Sequence, residues 1–495
     1  MRKNFIYALA LIAIGGCTKF DDIAKDGETE ADYKANPTQA SLVTVSTYKE
    51  LGDLIDDAGW WFWAQEVSSD EVVFPVRLTD WNDGGKWKVL HEHAWDNNTD
   101  AVNSMWSHMY DGVNEANRAI EGLEGSAGIA TVDLTIAKLK TLRAFFYYLL
   151  IDNYGDVPYI TSFSGAGENP MKTPKAEIWT NIVADLEASA PLLPAATNKF
   201  AVSKGMAHTL LAKLYINAQE YTGVEQFVKA ENYCDSVITS GIYSLDLSSV
   251  TNAFKQDNDG APENIFSIPF DEFDLKGFRL HMRTLHYLHD DTYGMTVGPW
   301  NGFGAVEAHY NSYDDNDLRK KEWFIVGQQK DANGADLFDQ TAGAKLVINP
   351  TIPKLVMDAS NSLEEVRMSA ARVSKYEIAK GTGEDLSNDF PLFRYADVLL
   401  MKAECAVRNG APGAGDSYVA EVRDRANAGP TSGFGLDEIL AERGRELFCE
   451  GHRRQDLIRF GKFGDSWWEK PVSTPDRKTF PIPQWAIDAN PNLGL

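Results

Sequence analysis

Apolar residues recur at intervals of three and four along much of the chain, a spacing that predicts helices. Between Thr99 and Leu123, the positions Val102, Met105, Trp106, Met109, Val113, Ala116 and Ile120 paint one helix face. Val132 to Asn153 repeats the pattern through Leu139, Leu142, Phe146 and Leu149, and Gly155 with Pro158 stops it. Thr173-Pro174 predicts an N-cap with proline in the first turn, opening a helix through Trp179, Ile182, Leu186 and Ala190. Ser203 to Tyr221 and Val224 to Ser240, closed by Gly241, predict two more.

That last pair has the composition of a tetratricopeptide unit. Ala212, Ala218 and Ala230 sit where antiparallel helices approach, and Tyr215 and Tyr233 fill the space between them. A second pair, Tyr395 to Asn409 and Asp416 to Asn427, predicts that the two ends of the chain pack into one scaffold. Between them the texture changes. Residues 242–390 are rich in Gly, Asn, Asp and aromatics, with only short apolar runs such as Ile265 to Phe270. The expected fold is mostly α, with a helical part over 38–241, a loop-rich insertion with short strands over 242–390, and a helical part over 391–495 that packs back. Insertions on a rigid scaffold are where binding sites usually lie.

The N-terminus has a different character. Met1-Arg2-Lys3 is cationic, Phe5 to Ile14 is apolar, and Gly15-Gly16-Cys17 follows. The run is shorter than the ~20 residues a spanning helix needs, so residues 1–16 are expected to be a signal peptide. Small residues before Cys17 resemble a bacterial lipobox, which implies acylation of Cys17 and a tether over 17–37. The acidic stretch after it resembles a cell-surface sorting signal. Cys234, Cys405 and Cys449 remain, an odd and widely spaced set that predicts buried thiols rather than disulfides.

Charge narrows the partners. The chain has 47 basic and 72 acidic residues, a formal charge of -25. That field disfavours nucleic acid and anionic lipid, and favours a neutral ligand over a polyanionic one.

Four stretches converge on one family. Arg143-Ala144-Phe145-Phe146-Tyr147 with Gly155-Asp156-Val157-Pro158 is similar to its R-A-x-x-Y…G-D-x-P signature. Arg394-Tyr395-Ala396-Asp397 through Ala403-Glu404 resembles its R-Y-A-D helix. Glu442-Arg443, Glu446-Leu447, Glu450-Gly451-His452-Arg453 and Asp456-Leu457 follow in the right order, and Phe480-Pro481-Ile482-Pro483 with Asn490-Pro491 resembles the closing segment. On these motifs the chain resembles the SusD/RagB outer-membrane lipoproteins. The resemblance implies a helical scaffold with tetratricopeptide-type pairs, no catalysis and no cofactor. It also implies a SusC-like TonB-dependent transporter as partner and an oligo- or polysaccharide as cargo. The membrane would be met only through the lipid anchor, on the outer membrane of a Gram-negative cell. A peptide-binding member of the same family, or a glycoside hydrolase, is the alternative.

Glu442, Arg443, Arg445, Glu446, Glu450, Arg453, Arg454, Asp456 and Arg459 alternate in sign at helical spacing, which predicts ion pairs between helices. His91-Glu92-His93 and His281, His286 and His289 lack a further ligand at useful spacing, so no metal is expected. Asp331 to Asp336 spaces oxygens like a calcium loop, but Asn333-Gly334 predicts a plain turn. The contiguous Trp60-Trp61-Phe62-Trp63 predicts packing between scaffold helices.

Two aromatic loops differ. Trp81-Asn82-Asp83-Gly84-Gly85-Lys86-Trp87 interleaves indoles with amide and carboxylate groups in a turn-rich stretch. Sugar recognition needs a flat apolar face plus hydroxyl partners, so Trp81, Asn82, Asp83 and Trp87 are candidate ligand contacts. Gly298-Pro299-Trp300-Asn301-Gly302-Phe303-Gly304 repeats the recipe. The family binds sugar on an arc of aromatics, which implies Trp300 and Asn301, with Phe303 beside them. Arg372 is a candidate donor to sugar hydroxyls.

Overall fold

The computed structural model describes residues 44–494 except positions 56, 57, 166, 197 and 412. The expected signal peptide, Cys17 and the tether lie outside the described residues. Among those described, no helix is long and apolar enough to cross a membrane.

Eleven helices frame the molecule: α1 (Val45–Ile55), α2 (Trp61–Val67), α3 (Asp100–Leu123), α4 (Ala130–Tyr154), α5 (Lys175–Ser189), α6 (Lys204–Ile216), α7 (Phe227–Ile238), α8 (Tyr395–Arg408), α9 (Asp416–Arg425), α10 (Leu436–Glu446) and α11 (Arg453–Arg459). The predicted apolar stripe of α3 is buried from Val102 to Ile120. Between α4 and α5 the G-D-x-P motif makes a corner. Gly155 closes α4 at φ 76, a left-handed value that suits glycine, and Asp156 Oδ1 accepts the Lys175 N–H at 2.8 Å. Pro174 is thus the N-cap itself rather than a first-turn residue, and Asp156 caps α5 from outside. The predicted helix over 203–221 breaks at Asn217, and its partner starts at Phe227, three residues later than expected.

Helices α6 and α7 pack against each other as a pair. Tyr215 and Tyr233 stack at 5.5 Å and 8°, and both hydroxyls donate to Glu187. Lys402 of α8 reaches Glu231 and Asp235 of α7 at 2.9 and 2.8 Å, so the distant halves meet. In the insertion the longest strand pairing is β1 (Asn264–Ile268) antiparallel to β2 (Phe390–Arg394). The other pairings of named strands are two residues long, separated by short helices.

The charged C-terminal cluster is structural. Glu446 accepts from Arg394 at 2.7 Å, from Arg319 at 2.9 Å and from Arg425. Glu450 takes Arg394 and Lys375 at 2.7 and 2.6 Å, and Glu263 takes Arg394 and Arg425. A second group joins Asp397 to Lys213 and Arg443, and Arg443 to Asp456. All of these side chains are buried. Each buried charge has opposite charges beside it, the condition under which such groups are tolerated.

Candidate functional site

Two loops far apart in sequence are tied together by a short ladder. Val72–Val73 pairs antiparallel with Gly304–Ala305, so the chain on either side converges. Beyond Val73 the backbone passes Phe74 and Arg77 and turns out at Leu78, Thr79 and Asp80, which are exposed. Before Gly304 the second loop lies along Leu280–Thr284. Its amides at Trp300, Asn301 and Gly302 donate to the carbonyls of Met282, Leu285 and Arg283 at 2.6, 2.9 and 2.7 Å.

This pinning leaves two indoles at the surface. Trp81 and Trp300 are each half-buried, and Trp81 Nε1–H donates to the Trp300 carbonyl at 2.8 Å. Trp81 rests on Phe74, centroids 5.1 Å apart. The Arg283 guanidinium lies 5.0 Å from the Trp300 ring centre and 5.4 Å from that of Trp63, so it is shared between a surface ring and a core ring. Trp60, Leu78, Trp81, Asp83 and Asn301 all have positive φ in this region. Such backbone is costly for bulky residues and gathers at functional sites.

The structure separates the other sequence candidates. Asn82 and Asp83 are exposed on the same loop as Trp81. Asp83 accepts the Trp87 Nε1–H at 2.9 Å, so one of its oxygens holds the scaffold. Trp87 is 2% exposed and stacks on Phe74 at 3.9 Å, so Phe74 takes the ring face expected to meet a ligand. Phe303, 0% exposed, packs against Trp63 and Phe74. Asn301 is buried and donates to the Arg367 carbonyl at 3.1 Å. Arg372 is also buried and donates to that same carbonyl, while burial and then neighbouring Arg77 hold its pKa well below the usual guanidinium range. Trp87, Phe303, Asn301 and Arg372 therefore lie under the site rather than in it. For Asn301 and Phe303 the physical reason is the loop's inward hydrogen bonding, which turns Trp300 out and its neighbours in. Trp87 is held by its stack on Phe74, and Arg372 by its strand pairing with Ile325.

Sequence reasoning missed Tyr287. Its hydroxyl is hydrogen-bonded to Asp80, and Arg367 lies 4.7 Å from its ring centre. Burial, and then Asp80, pushes the Tyr287 phenol up to about 12, so it stays neutral, with its O–H given to Asp80 and its oxygen able to accept from a ligand hydroxyl. No local pattern marks Tyr287; its position depends on a contact 207 residues away. A cleft of about 360 Å³, lined by Trp60, Lys86, Trp87, Asp100 and Arg283 among others, shares Arg283 with Trp300. The histidine runs are internal: His91 and His93 meet the carbonyls of Trp468 and Ser68 at 2.9 and 2.8 Å. Asp331 accepts the amides of Asn333 and Ala335, as a turn requires.

Comparison with known proteins places this architecture. The SusD family model matches residues 306–476, and a second, described as starch-binding associating with outer membrane, matches 64–216. The chain belongs to the SusD/RagB family. It is 25% identical to the starch-binding protein SusD of Bacteroides thetaiotaomicron over 81% of its own length and 77% of that protein. It is 26% identical to a SusD-like protein of Formosa agariphila, over 93% and 91% of the two chains. Among solved structures, surface glycan-binding protein A of Bacteroides thetaiotaomicron in complex with laminarihexaose superposes with a TM-score of 0.73 at 20% identity, covering 92% of this chain and 98% of that one. A SusD-like carbohydrate-binding protein from Bacteroides fragilis gives 0.74 at 19% identity, over 93% and 99%.

Proposed function

We propose that this protein captures a glycan on the Trp81–Trp300 platform at the outer-membrane surface. It then hands the cargo to a SusC-like TonB-dependent transporter and does no chemistry on it. The observation that carries the reading is the 2.8 Å hydrogen bond from the Trp81 indole N–H to the Trp300 backbone carbonyl, which joins two loops 219 residues apart that each carry a half-buried Trp. Flat apolar faces suit the C–H surface of a pyranose, while Asn82, Asp83 and Tyr287 offer polar groups for hydroxyls. The formal charge of -25 favours a neutral glycan. The lipid anchor at Cys17 belongs to the same reading, and a peptide cargo is its rival.

Affinity electrophoresis through gels containing laminarin, starch or an acidic polysaccharide tests it. A neutral glucan should retard the protein, and Trp300→Ala should weaken binding at least tenfold, ~1.4 kcal/mol, with little change in Tm. Trp81→Ala should do the same with a larger fall in Tm, because Trp81 also packs on Phe74. Retention by peptides but by no glycan would sink the glycan reading.

A further inference from the structure

Away from the aromatic platform, α1 lies against α3, and metal-ligand side chains meet there. Glu50 and Asp53 stand three residues apart on α1; His108 and Asp111 stand three apart on α3. That spacing puts each pair on one helix face, so four ligand-type side chains converge across the interface. Ligand atoms of Glu50, His108 and Asp111 all lie within 4.8 Å of one another. His108 Nδ1 is 3.8 Å from a Glu50 oxygen and 3.8 Å from an Asp53 oxygen, beyond hydrogen-bond reach. That nitrogen is shut off from solvent and has no hydrogen-bond partner among the described residues.

We propose that Glu50, His108 and Asp111, with Asp53 at the edge, bind a divalent transition-metal ion of the Zn²⁺ type. The spacing is near that of a shell: ligand atoms ~2.1 Å from a tetrahedral ion lie ~3.4 Å apart. The 3.8 Å His108–Glu50 separation therefore needs a shift of a few tenths of an ångström, and no pair in the group needs more than ~1.4 Å. An imidazole among carboxylates selects a borderline ion over Ca²⁺ or Mg²⁺, which take oxygen. One ion also removes the repulsion among these carboxylates. The ion would clamp α1, the first described helix after the N-terminal segment, onto the long helix α3. Helix pairs bearing carboxylate and histidine ligands three residues apart are an established way to build such sites. Sequence reading missed it because the ligands sit on two different helices, with 55 positions from Asp53 to His108.

Histidine burial makes the test selective. Of the nine histidines, His91, His93, His281, His286, His289, His309 and His452 are buried, leaving His108 and His208. The protein, purified without a polyhistidine tag, is titrated with Zn²⁺ by calorimetry and with Co²⁺ by visible absorption. One equivalent should bind, with the absorption of a low-symmetry Co²⁺ site, and saturating Zn²⁺ should raise Tm by about 2 °C or more. His108→Ala and Asp111→Asn should each weaken Zn²⁺ at least tenfold while the metal-free protein still unfolds cooperatively. His208→Ala should change nothing. No binding up to millimolar Zn²⁺ would overturn the proposal and leave His108 as an ion-pair partner of Glu50 and Asp53. Binding lost with His208→Ala but kept with His108→Ala would overturn it equally.

Discussion

A tryptophan that turns one face to water needs its other face and its N–H held, and Gly302 is the residue that permits this for Trp81. A Cβ built at Gly302 would stand 2.5 Å from the Trp81 ring and 2.8 Å from the Arg283 carbonyl. Both are far inside van der Waals contact, and the second obstacle is backbone that cannot swing aside. Gly302→Ala should therefore displace the Trp81 indole and break its bond to Trp300. Glycan affinity should fall at least tenfold, ~1.4 kcal/mol, while far-UV circular dichroism stays unchanged. Affinity at the unsubstituted level would mean that Trp81 does not contact the ligand. Both aromatic loops were legible in the sequence because a Trp among Gly, Asn and Pro has little local core to enter. Which neighbours turn inward was not legible. The burial of Asn301 and Arg372 depends on the Arg367 carbonyl, which both reach, and that convergence is tertiary.

At the scale of elements, the family motifs become an electrostatic frame that locks α8, α10 and β2 together. Glu446 is its hub, and Arg425, Arg394 and Arg319 hold its carboxyl far below the usual range against the opposing effect of burial. Replacing one member of a buried pair strands its partners, and such losses run ~3–5 kcal/mol. Glu446→Gln should cost stability on that order, read as a lower urea midpoint near pH 7. A change under ~1 kcal/mol would mean that the arginines find other partners. The sign for acid follows from the depressed folded pKa: this stabilisation is full above the unfolded carboxylate range, declines as pH falls below it and is gone once pH passes the folded value. The helices were legible because the 3.6-residue period survives even where little else does. Two boundaries were not. Asn217 breaks the helix expected over 203–221, and Pro174 caps a helix that Asp156 completes from the preceding corner.

Across the whole molecule, the two ends of the chain are sewn together around buried acids. Glu66 on α2 accepts the Gly451 N–H at 2.7 Å, and Arg453 pairs with Asp70 at 2.7 Å. Glu66 has no full counter-charge of its own. Burial pushes its carboxyl up to about 7, opposed by the Gly451 amide and Lys375 and reinforced by Glu450. A folded pKa above the unfolded value means that the fold favours the protonated acid. Its cost is absent below the unfolded pKa of about 4.5 and grows as pH rises through 7, reaching ~3 kcal/mol above pH 8. Histidines such as His93, which burial lowers to about 3, act oppositely by costing stability as pH falls below 6.5. Comparing the wild type with Glu66→Gln isolates the acid from them. The variant should match the wild type near pH 4.5 and exceed it by ~2–3 kcal/mol at pH 8, measured by urea unfolding at each pH. A difference independent of pH would show that Glu66 is ionised in the fold and that Lys375 serves as its counter-ion.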